Sequence, residues 1–327
     1  MAIRTHAVNK IRKKDGAPDD GVYAQLDELV KLQHQASGFS FLPKQPIHGI
    51  LSGRHAAKLR GRGLNFEELR NYLPGDDTRH IDWKVTARTR TPYVRIYTEE
   101  KDRTVWLLID QRVSMFFGSK MRMKSVVAAE VAAISAWRVL SVGDRVGALI
   151  FNDSDICVVP PHRSRDRVMQ ILKQVVDKNQ ALSADPGLKP DPGKLNEALK
   201  QVSLLARHDC LVCLITDGEG LNSETRKHIT RLSEHNDVLT AFIYDPLEQE
   251  MPAVGRLRFA DGEGQLEADT SSRKLRKAFR NEFERKLEWM QSASRRFSIP
   301  LLPLHTSSPV PEQIRDLLGH HLGTKRF

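Results

Sequence analysis

The chain has 327 residues, of which 40% are hydrophobic and 28% charged, a balance typical of a globular protein with one large or two modest domains. The formal net charge is +10, and the basic excess lies in the flanks, because residues 1–104, 105–249 and 250–327 carry +6, 0 and +4. The longest apolar run, 125–140, is too short and too charged to cross a bilayer, and the first residues lack the apolar core of a signal peptide. The sequence therefore predicts a cytoplasmic protein without membrane insertion.

The first hundred residues are predicted to be mostly irregular or extended. Residues 1–20 are polar and expected to be loose, and the apolar spacing over 22–35 predicts a short helix. Residues 39–46 read as a loop with two prolines, and 48–103 as a turn-rich segment in which 93–97 alternates like a half-buried strand. These patterns predict an N-terminal tail with a short helix at 1–47 and a β-rich segment at 48–103.

From residue 104 onward, strand patterns alternate with helix patterns. Strands are predicted at 105–109, 145–151, 156–159, 210–215, 238–244 and 301–304. Helices are predicted at 120–140, 165–177, 194–206, 224–234, 272–296 and 311–322, with a hairpin or loop between 255 and 269. This alternation predicts an α/β domain over 104–327, with a mainly parallel sheet covered by helices on both faces.

Two of the predicted strands end at an acidic residue. Asp110 follows the apolar run 105–109, and Asp217 follows 210–215. Because ligands of parallel sheets bind at the carboxyl ends of the strands, these two carboxylates mark the candidate site.

The loops that carry these acids resemble the metal-ion-dependent adhesion site of von Willebrand factor A domains. That site combines an Asp-x-Ser-x-Ser loop, a threonine on a second loop and a later aspartate, which supply hard oxygen ligands to Mg²⁺. Asp110, Ser114 and Asp217 match the pattern, but Arg112 replaces the middle serine and Gly193 stands at the threonine position. No metal or other cofactor is expected. If Mg²⁺ were bound, Asp110, Ser114 and Asp217 would hold it.

The arginine in this loop has two interpretations that the sequence leaves open. Its guanidinium either pairs with Asp110 or Asp217 and so takes the place of the metal ion, or it points to solvent and leaves the site vacant. In both cases the adhesion site is degenerate.

A second motif lies upstream, in residues 70–88. A Pro-Gly turn is followed there by alternating charges and a tryptophan, and the stretch resembles the hallmark of the DUF58 family, a family of unknown function. The hallmark residues are Arg70, Tyr72, Gly75, Asp76, Asp77, Arg79, Asp82 and Trp83. We expect Arg70, Arg79 and Asp82 to brace this segment against the sheet domain.

The resemblance implies a von Willebrand A-like fold and a non-enzymatic interaction module. It also implies a partner, since members of the family are thought to act as adaptors or chaperone-like partners of MoxR-type AAA+ ATPases. The alternative is a nucleic-acid-associated protein or a metal-dependent hydrolase, which would use the basic flanks and the acidic cluster of Asp76, Asp77 and Asp82.

Other chemistry finds little support in the sequence. The chain has no phosphate-binding loop of the Gly-x-x-x-x-Gly-Lys-Ser/Thr type, and Ser114 has no histidine nearby in sequence to activate it. Cys210 and Cys213 are three residues apart on a predicted strand and should face opposite sides of the sheet. They are expected to be buried structural thiols and not zinc ligands.

Overall fold

The computed structural model describes residues 21–36, 64–99, 102–183, 189–260 and 265–319. The predicted tail at 1–20, the loop at 39–46 and the last three residues of the helix predicted at 311–322 lie outside these ranges. The chain divides into two compact units, residues 45–102, and residues 1–44 together with 103–327.

The described ranges contain ten strands and nine α-helices. The strands are β1 (Leu64–Asn71), β2 (Tyr93–Glu99), β3 (Thr104–Asp110), β4 (Arg145–Phe151), β5 (Ile156–His162), β6 (Leu211–Thr216), β7 (Asp237–Tyr244), β8 (Arg256–Ala260), β9 (Gln265–Asp269) and β10 (Leu301–His305). The helices are α1 (Leu26–Lys31), α2 (Trp83–Thr89), α3 (Lys124–Ser141), α4 (Arg165–Gln180), α5 (Lys194–Leu205), α6 (Ser223–His235), α7 (Pro246–Gln249), α8 (Arg273–Phe297) and α9 (Val310–Gly319).

The larger unit is built on one six-stranded sheet in the order β10-β7-β6-β3-β4-β5. Neighbouring strands are parallel except at the edge, where β5 runs antiparallel to β4. The predicted α/β class with a mainly parallel sheet is confirmed. The region between 255 and 269 forms an antiparallel hairpin of β8 and β9.

Helices cover both faces of this sheet, and the alternation along β3 divides the core in two. Leu107 and Ile109 pack in a cluster with α3, α4 and α9, whereas Trp106 and Leu108 pack in a cluster with α5 and α6. This division follows from the two-residue repeat of a strand, which sends successive side chains to opposite faces. Both faces are apolar because both are covered, as is usual for parallel sheets.

The cysteines follow the same rule. Cys213 belongs to the cluster under α3 and Cys210 to the cluster under α5, and all three cysteines of the chain are free thiols. Complete burial raises the pKa of Cys213 to about 12, which keeps this thiol protonated and unreactive.

Helix α3 is the most deeply buried helix of the described chain, with fifteen of its eighteen residues buried. The sequence predicts an amphipathic helix from residue 120, but α3 begins at Lys124 and is covered on nearly all sides, by the sheet, α4, α9 and residues 32–35. Its polar residue Glu130 is buried and pairs with Arg122 at 2.7 Å. Burial raises the pKa of Glu130 to about 7, although the nearby Arg122 acts to lower it.

The smaller unit contains an antiparallel hairpin of β1 and β2 and the short helix α2 between them. Within the described residues no helix is long and apolar enough to cross a membrane.

Candidate functional site

Arg112 lies at the centre of the candidate site, directly after β3. Its side chain is 1% exposed and is the largest fully buried side chain described in the chain. Nε and Nη2 of the guanidinium donate to the two carboxylate oxygens of Asp110 at 3.0 and 2.7 Å, and the backbone N–H of Arg112 donates to Oδ1 at 3.0 Å. Of the two interpretations left open by the sequence, the structure therefore has the paired guanidinium and not the solvent-directed one.

The remaining contacts of Arg112 hold this pair in a closed pocket. Nη2 donates to the backbone oxygen of Glu219 at 3.0 Å, and the guanidinium stacks over the ring of Phe151 at 5.5 Å. Thr216 Oγ1 donates to Asp110 Oδ2 at 2.7 Å. Burial by itself lowers the pKa of Arg112, but the charge and hydrogen bonds of Asp110 outweigh this and hold the pKa above its ordinary value. The guanidinium is thus a permanent buried cation.

The second acid of the site has its own cation, which the sequence patterns did not single out. Lys124, the first residue of α3, is buried, and its Nζ donates to Asp217 Oδ2 at 2.9 Å and to Glu248 Oε1 at 2.8 Å. Arg112 Nη2 is 3.9 Å from Asp217 Oδ1, which is an ionic contact and too long for a hydrogen bond. Arg112 and Lys124 therefore lie on either side of Asp217.

The charges around Asp217 decide its protonation. Burial raises the pKa of this carboxyl, but Lys124, Lys286 and Arg112 together hold it well below its ordinary value. Burial lowers the pKa of Lys124, but the carboxylates of Asp217 and Glu248 raise it by more. The pKa of Lys124 therefore lies above its usual range. Asp217 and Lys124 are both charged at neutral pH.

The two other residues of the predicted site take different places. Gly193 precedes α5, and its N–H donates to Asp191 Oδ1 at 2.9 Å. The Ser114 hydroxyl oxygen is buried and has no hydrogen-bond partner among the described residues. Within the described ranges, no group of three or more His, Cys, Asp or Glu side chains is arranged to hold a metal ion.

A third carboxylate, Asp153, fastens the loop after β3 to the loop before α5. Its Oδ2 accepts from the N–H of Val113 at 2.6 Å, and its Oδ1 accepts from the N–H of Asp191 at 2.8 Å. Burial raises the pKa of Asp153, whereas these two N–H groups lower it. Asp153 is the acid nearest the end of β4, and sequence reasoning missed it because it follows the strand by two residues and not directly.

The turn of the hallmark segment is closed by one bidentate ion pair. Arg70 Nη1 and Nη2 donate to the two oxygens of Asp76 at 2.9 and 2.7 Å, and the N–H of Leu73 donates to Asp76 Oδ2 at 2.8 Å. These contacts lower the pKa of Asp76, the Arg70 hydrogen bond most of all. Gly75 has φ of +108°, a conformation that residues with a Cβ rarely adopt.

The second half of the hallmark is organised by Asp82. Its Oδ1 accepts from the N–H groups of Lys84 and Val85 at 3.0 and 3.1 Å, which caps α2, and its Oδ2 accepts from Arg95 Nε at 2.9 Å. Arg70 and Asp82 thus find these partners within the smaller unit, and the predicted brace against the sheet domain is not among the contacts described for them. Arg95, on β2, was not among the predicted residues.

The other hallmark residues contribute backbone contacts or exposed side chains. The N–H of Tyr72 donates to the backbone oxygen of Pro92 at 2.8 Å. Asp77 Oδ1 accepts from the N–H of Arg79 at 3.0 Å. The side chains of Arg79 and Trp83 are exposed.

Solved structures with a related arrangement share little sequence with this chain. The conserved hypothetical protein BatB from Bacteroides thetaiotaomicron is 14% identical, with 68% of this chain and 100% of that chain covered and a TM-score of 0.41. The SpRpn10 VWA domain is 12% identical, with 67% and 95% covered and a TM-score of 0.34. A von Willebrand factor type A protein from Catenulispora acidiphila is 15% identical, with 47% and 35% covered and a TM-score of 0.31.

Sequence relatives match more closely. The uncharacterized proteins Rv1480 of Mycobacterium tuberculosis (strain ATCC 25618 / H37Rv) and Mb1516 of Mycobacterium bovis (strain ATCC BAA-935 / AF2122/97) are each 30% identical over 242 residues, which is 74% of this chain and 73% of theirs. The family model for DUF58, a protein of unknown function, matches residues 68–288, and so spans both the hallmark and the ion-paired site. The chain therefore belongs to the DUF58 family.

Proposed function

We propose that this chain is a non-enzymatic protein-interaction module whose carboxyl-end loops bind a partner without a bridging metal ion. The observation that carries this proposal is that both strand-end carboxylates already have a built-in cation: Asp110 is paired with Arg112, and Asp217 with Lys124. A divalent ion at this place would meet two fixed positive charges within the same buried pocket. Its binding would be opposed by their repulsion in a medium that screens charge poorly.

The same contacts argue against acid–base or nucleophilic chemistry here. A general acid or base needs a pKa near the working pH, whereas Asp217 has its pKa held far below that range and Lys124 far above it. A serine nucleophile needs a base within hydrogen-bond reach, and the Ser114 hydroxyl has no such base among the residues that the structure describes. Ion pairs of this kind fix the shape of the loops around them, which is what a docking surface requires.

The carboxyl-end loops, defined here as residues 111–123, 152–155, 217–222 and 245–255, all follow strands at the same edge of the sheet. In the first of these loops Met121 is 46% exposed and Lys120 beside it is exposed as well. An apolar side chain flanked by charge is a common feature of protein interfaces. The partner that we propose is a MoxR-type AAA+ ATPase, since this is what the family resemblance implies.

Direct binding to such an ATPase from the same genome tests the proposal. The purified proteins would be mixed with and without Mg²⁺ and nucleotide, and binding measured by calorimetry. Met121→Glu is expected to weaken binding at least tenfold, or about 1.4 kcal/mol, because it places a charge in the contact. Val142→Glu is the matched control: Val142 is 48% exposed but lies after α3, at the opposite edge of the sheet. Absence of binding under all conditions, or an equal effect of both variants, would refute the proposed docking edge.

A metal titration of the chain alone tests the metal-independent part. A ligand that binds the folded protein raises its unfolding free energy in proportion to ln(1 + [L]/Kd), so a working site would show clear thermal stabilisation at about 10 mM Mg²⁺ or Mn²⁺. We expect no change in the midpoint of unfolding. A reproducible rise in the midpoint with either metal would show that the internal cations do not exclude it.

A further inference from the structure

One face of α2 is open to solvent and carries an unusually exposed tryptophan. Trp83 is 69% exposed, and Lys84, Ala87 and Arg88 beside it on the helix are exposed too. These positions follow the spacing i, i+1, i+4 and i+5, which places them on a common helix face. The opposite face is turned to the hairpin, where the Thr86 hydroxyl accepts from the N–H of Tyr93 at 3.1 Å.

The acids of this segment make contacts within the smaller unit. Asp76 pairs with Arg70, Asp82 caps α2 and pairs with Arg95, and Asp77 accepts from the backbone of Arg79. The charges of Asp76 and Asp82 are therefore compensated within the smaller unit, whereas Asp77 is exposed.

The remaining cations have no such partner. Arg79, Lys84, Arg88 and Arg90 are exposed and make no ion pair with any residue in the described part of the chain. The exposed side of α2 therefore carries Lys84 and Arg88 on the same helix face as the Trp83 ring, and Arg79 and Arg90 flank this helix in the chain. We call the set of Arg79, Trp83, Lys84, Arg88 and Arg90 the α2 surface.

We propose that the α2 surface is a docking site for an acidic segment of a partner protein, with Trp83 as the apolar anchor and the four cations as the electrostatic frame. Large exposed apolar side chains among polar residues mark interaction sites, and tryptophan and arginine are the side chains most enriched among the residues that dominate binding energy. Complementary charge in an acidic partner would speed association and set its orientation.

The observations favour a protein partner over nucleic acid. Single-stranded nucleic acid is bound by several aromatic rings on which successive bases stack. Among residues 69–95, the rings of Tyr72 and Tyr93 are partly buried, which leaves Trp83 as the one exposed aromatic ring of that range. One apolar anchor among cations suits a peptide with one apolar side chain among acids.

This inference goes beyond the proposed function and does not depend on it, because the α2 surface belongs to the smaller unit and the carboxyl-end loops to the larger one. Either surface can fail its test while the other passes.

Fluorescence anisotropy with three labelled probes tests the proposal on the full chain. The probes are a glutamate-rich peptide with a central Phe, the same peptide with Lys in place of every Glu, and an oligothymidylate. We expect the acidic peptide to bind and the basic one not to bind. Trp83→Ala should weaken binding at least tenfold, about 1.4 kcal/mol, and Lys84→Glu/Arg88→Glu should weaken it more, because it reverses two charges of the frame.

The matched control is Lys227→Glu/Arg231→Glu, which reverses two exposed cations with the same spacing on α6. Its affinity for the acidic peptide is expected to stay within about twofold of the unmodified chain, since these charges are outside the docking site. The thermal midpoint of every variant would be recorded to show that it folds. The proposal is overturned if the acidic peptide does not bind, if both double variants lose binding equally, or if the oligothymidylate binds more tightly and loses affinity in the Trp83 variant.

Discussion

Replacing Arg112 by Met is the most direct perturbation of the ion-paired site. The substitution keeps most of the apolar volume but removes three side-chain hydrogen bonds, two to Asp110 and one to the backbone oxygen of Glu219. Asp110 is fully buried and would retain its bonds to Thr216 Oγ1 and to the backbone N–H of residue 112. Its negative charge would then have no cation in contact.

Removing one partner of a buried ion pair costs about 3–5 kcal/mol, because the other charge stays buried without compensation. For a chain of this size such a loss lowers the thermal midpoint by roughly 4–7 °C. Urea unfolding followed by circular dichroism measures the free energy directly. The double variant Arg112→Met/Asp110→Asn should recover most of the loss, since it removes both charges together.

The exposed pair of Arg285 and Glu282 on α8, with contact at 2.6 Å, is the matched control. Arg285→Met is expected to cost no more than about 0.5 kcal/mol, as is usual for solvent-screened pairs. The reasoning would be refuted if Arg112→Met cost as little as Arg285→Met, or if the double variant were less stable than the single one. Either result would mean that the Asp110 charge is not compensated by Arg112 in the folded protein.

Two further substitutions test the other buried charges. Lys124→Met should cost about 3 kcal/mol at neutral pH by leaving Asp217 without its closest cation. Because the pKa of Asp217 is depressed in the folded protein, its ionised carboxylate stabilises the unmodified chain above about pH 4, and this stabilisation is lost as the pH falls. The cost of Lys124→Met should therefore shrink in acid, and a cost that stays constant would contradict this assignment. The pKa of Glu130 is raised to about 7 in the folded protein. Between about pH 4.5 and 7 the folded state therefore holds a proton that the unfolded state has lost, and the free energy of unfolding falls as the pH rises through this range. The free energy of unfolding of Glu130→Gln should therefore rise relative to that of the unmodified chain, by up to about 3 kcal/mol, between pH 5 and 7.5. If the two stability–pH curves were parallel, Glu130 would not be the group that titrates.

The elements of the larger unit follow closely from local sequence patterns. Apolar runs such as 105–109 and 210–215 form buried parallel strands because both faces of the sheet are covered by helices. The sequence pattern predicts the start of α3 four residues too early, at residue 120, whereas the helix begins at Lys124. Helical spacing continues through residues 120–123, but there the N–H of Met123 donates to the backbone oxygen of Gly21 at 2.8 Å, a contact that no local pattern contains.

Some residues of the candidate site could likewise be recognised from the sequence, whereas others required the structure. Asp110 and Asp217 are visible in the sequence because each follows an apolar run, and the residue that departs from the adhesion-site pattern, Arg112, is visible by its position between them. Lys124 gave a weaker signal, a single cation at the start of a long apolar helix. Its pairing with Asp217 joins residues 93 positions apart and exists only because β3 and β6 are neighbours in the sheet.

The amino-acid sequence by itself determined the family hallmark, the alternation of strands and helices, and the two acids at the strand ends, since these depend on residue type and short-range spacing. Tertiary structure decided which cation each carboxylate receives and whether the Arg112 side chain is buried. It also decided that Asp76 and Asp82 of the hallmark are ion-paired while Trp83 and its neighbouring cations face solvent. Such outcomes depend on which distant segments share a pocket, because burial and ion pairing are properties of three-dimensional neighbours and not of neighbours along the chain.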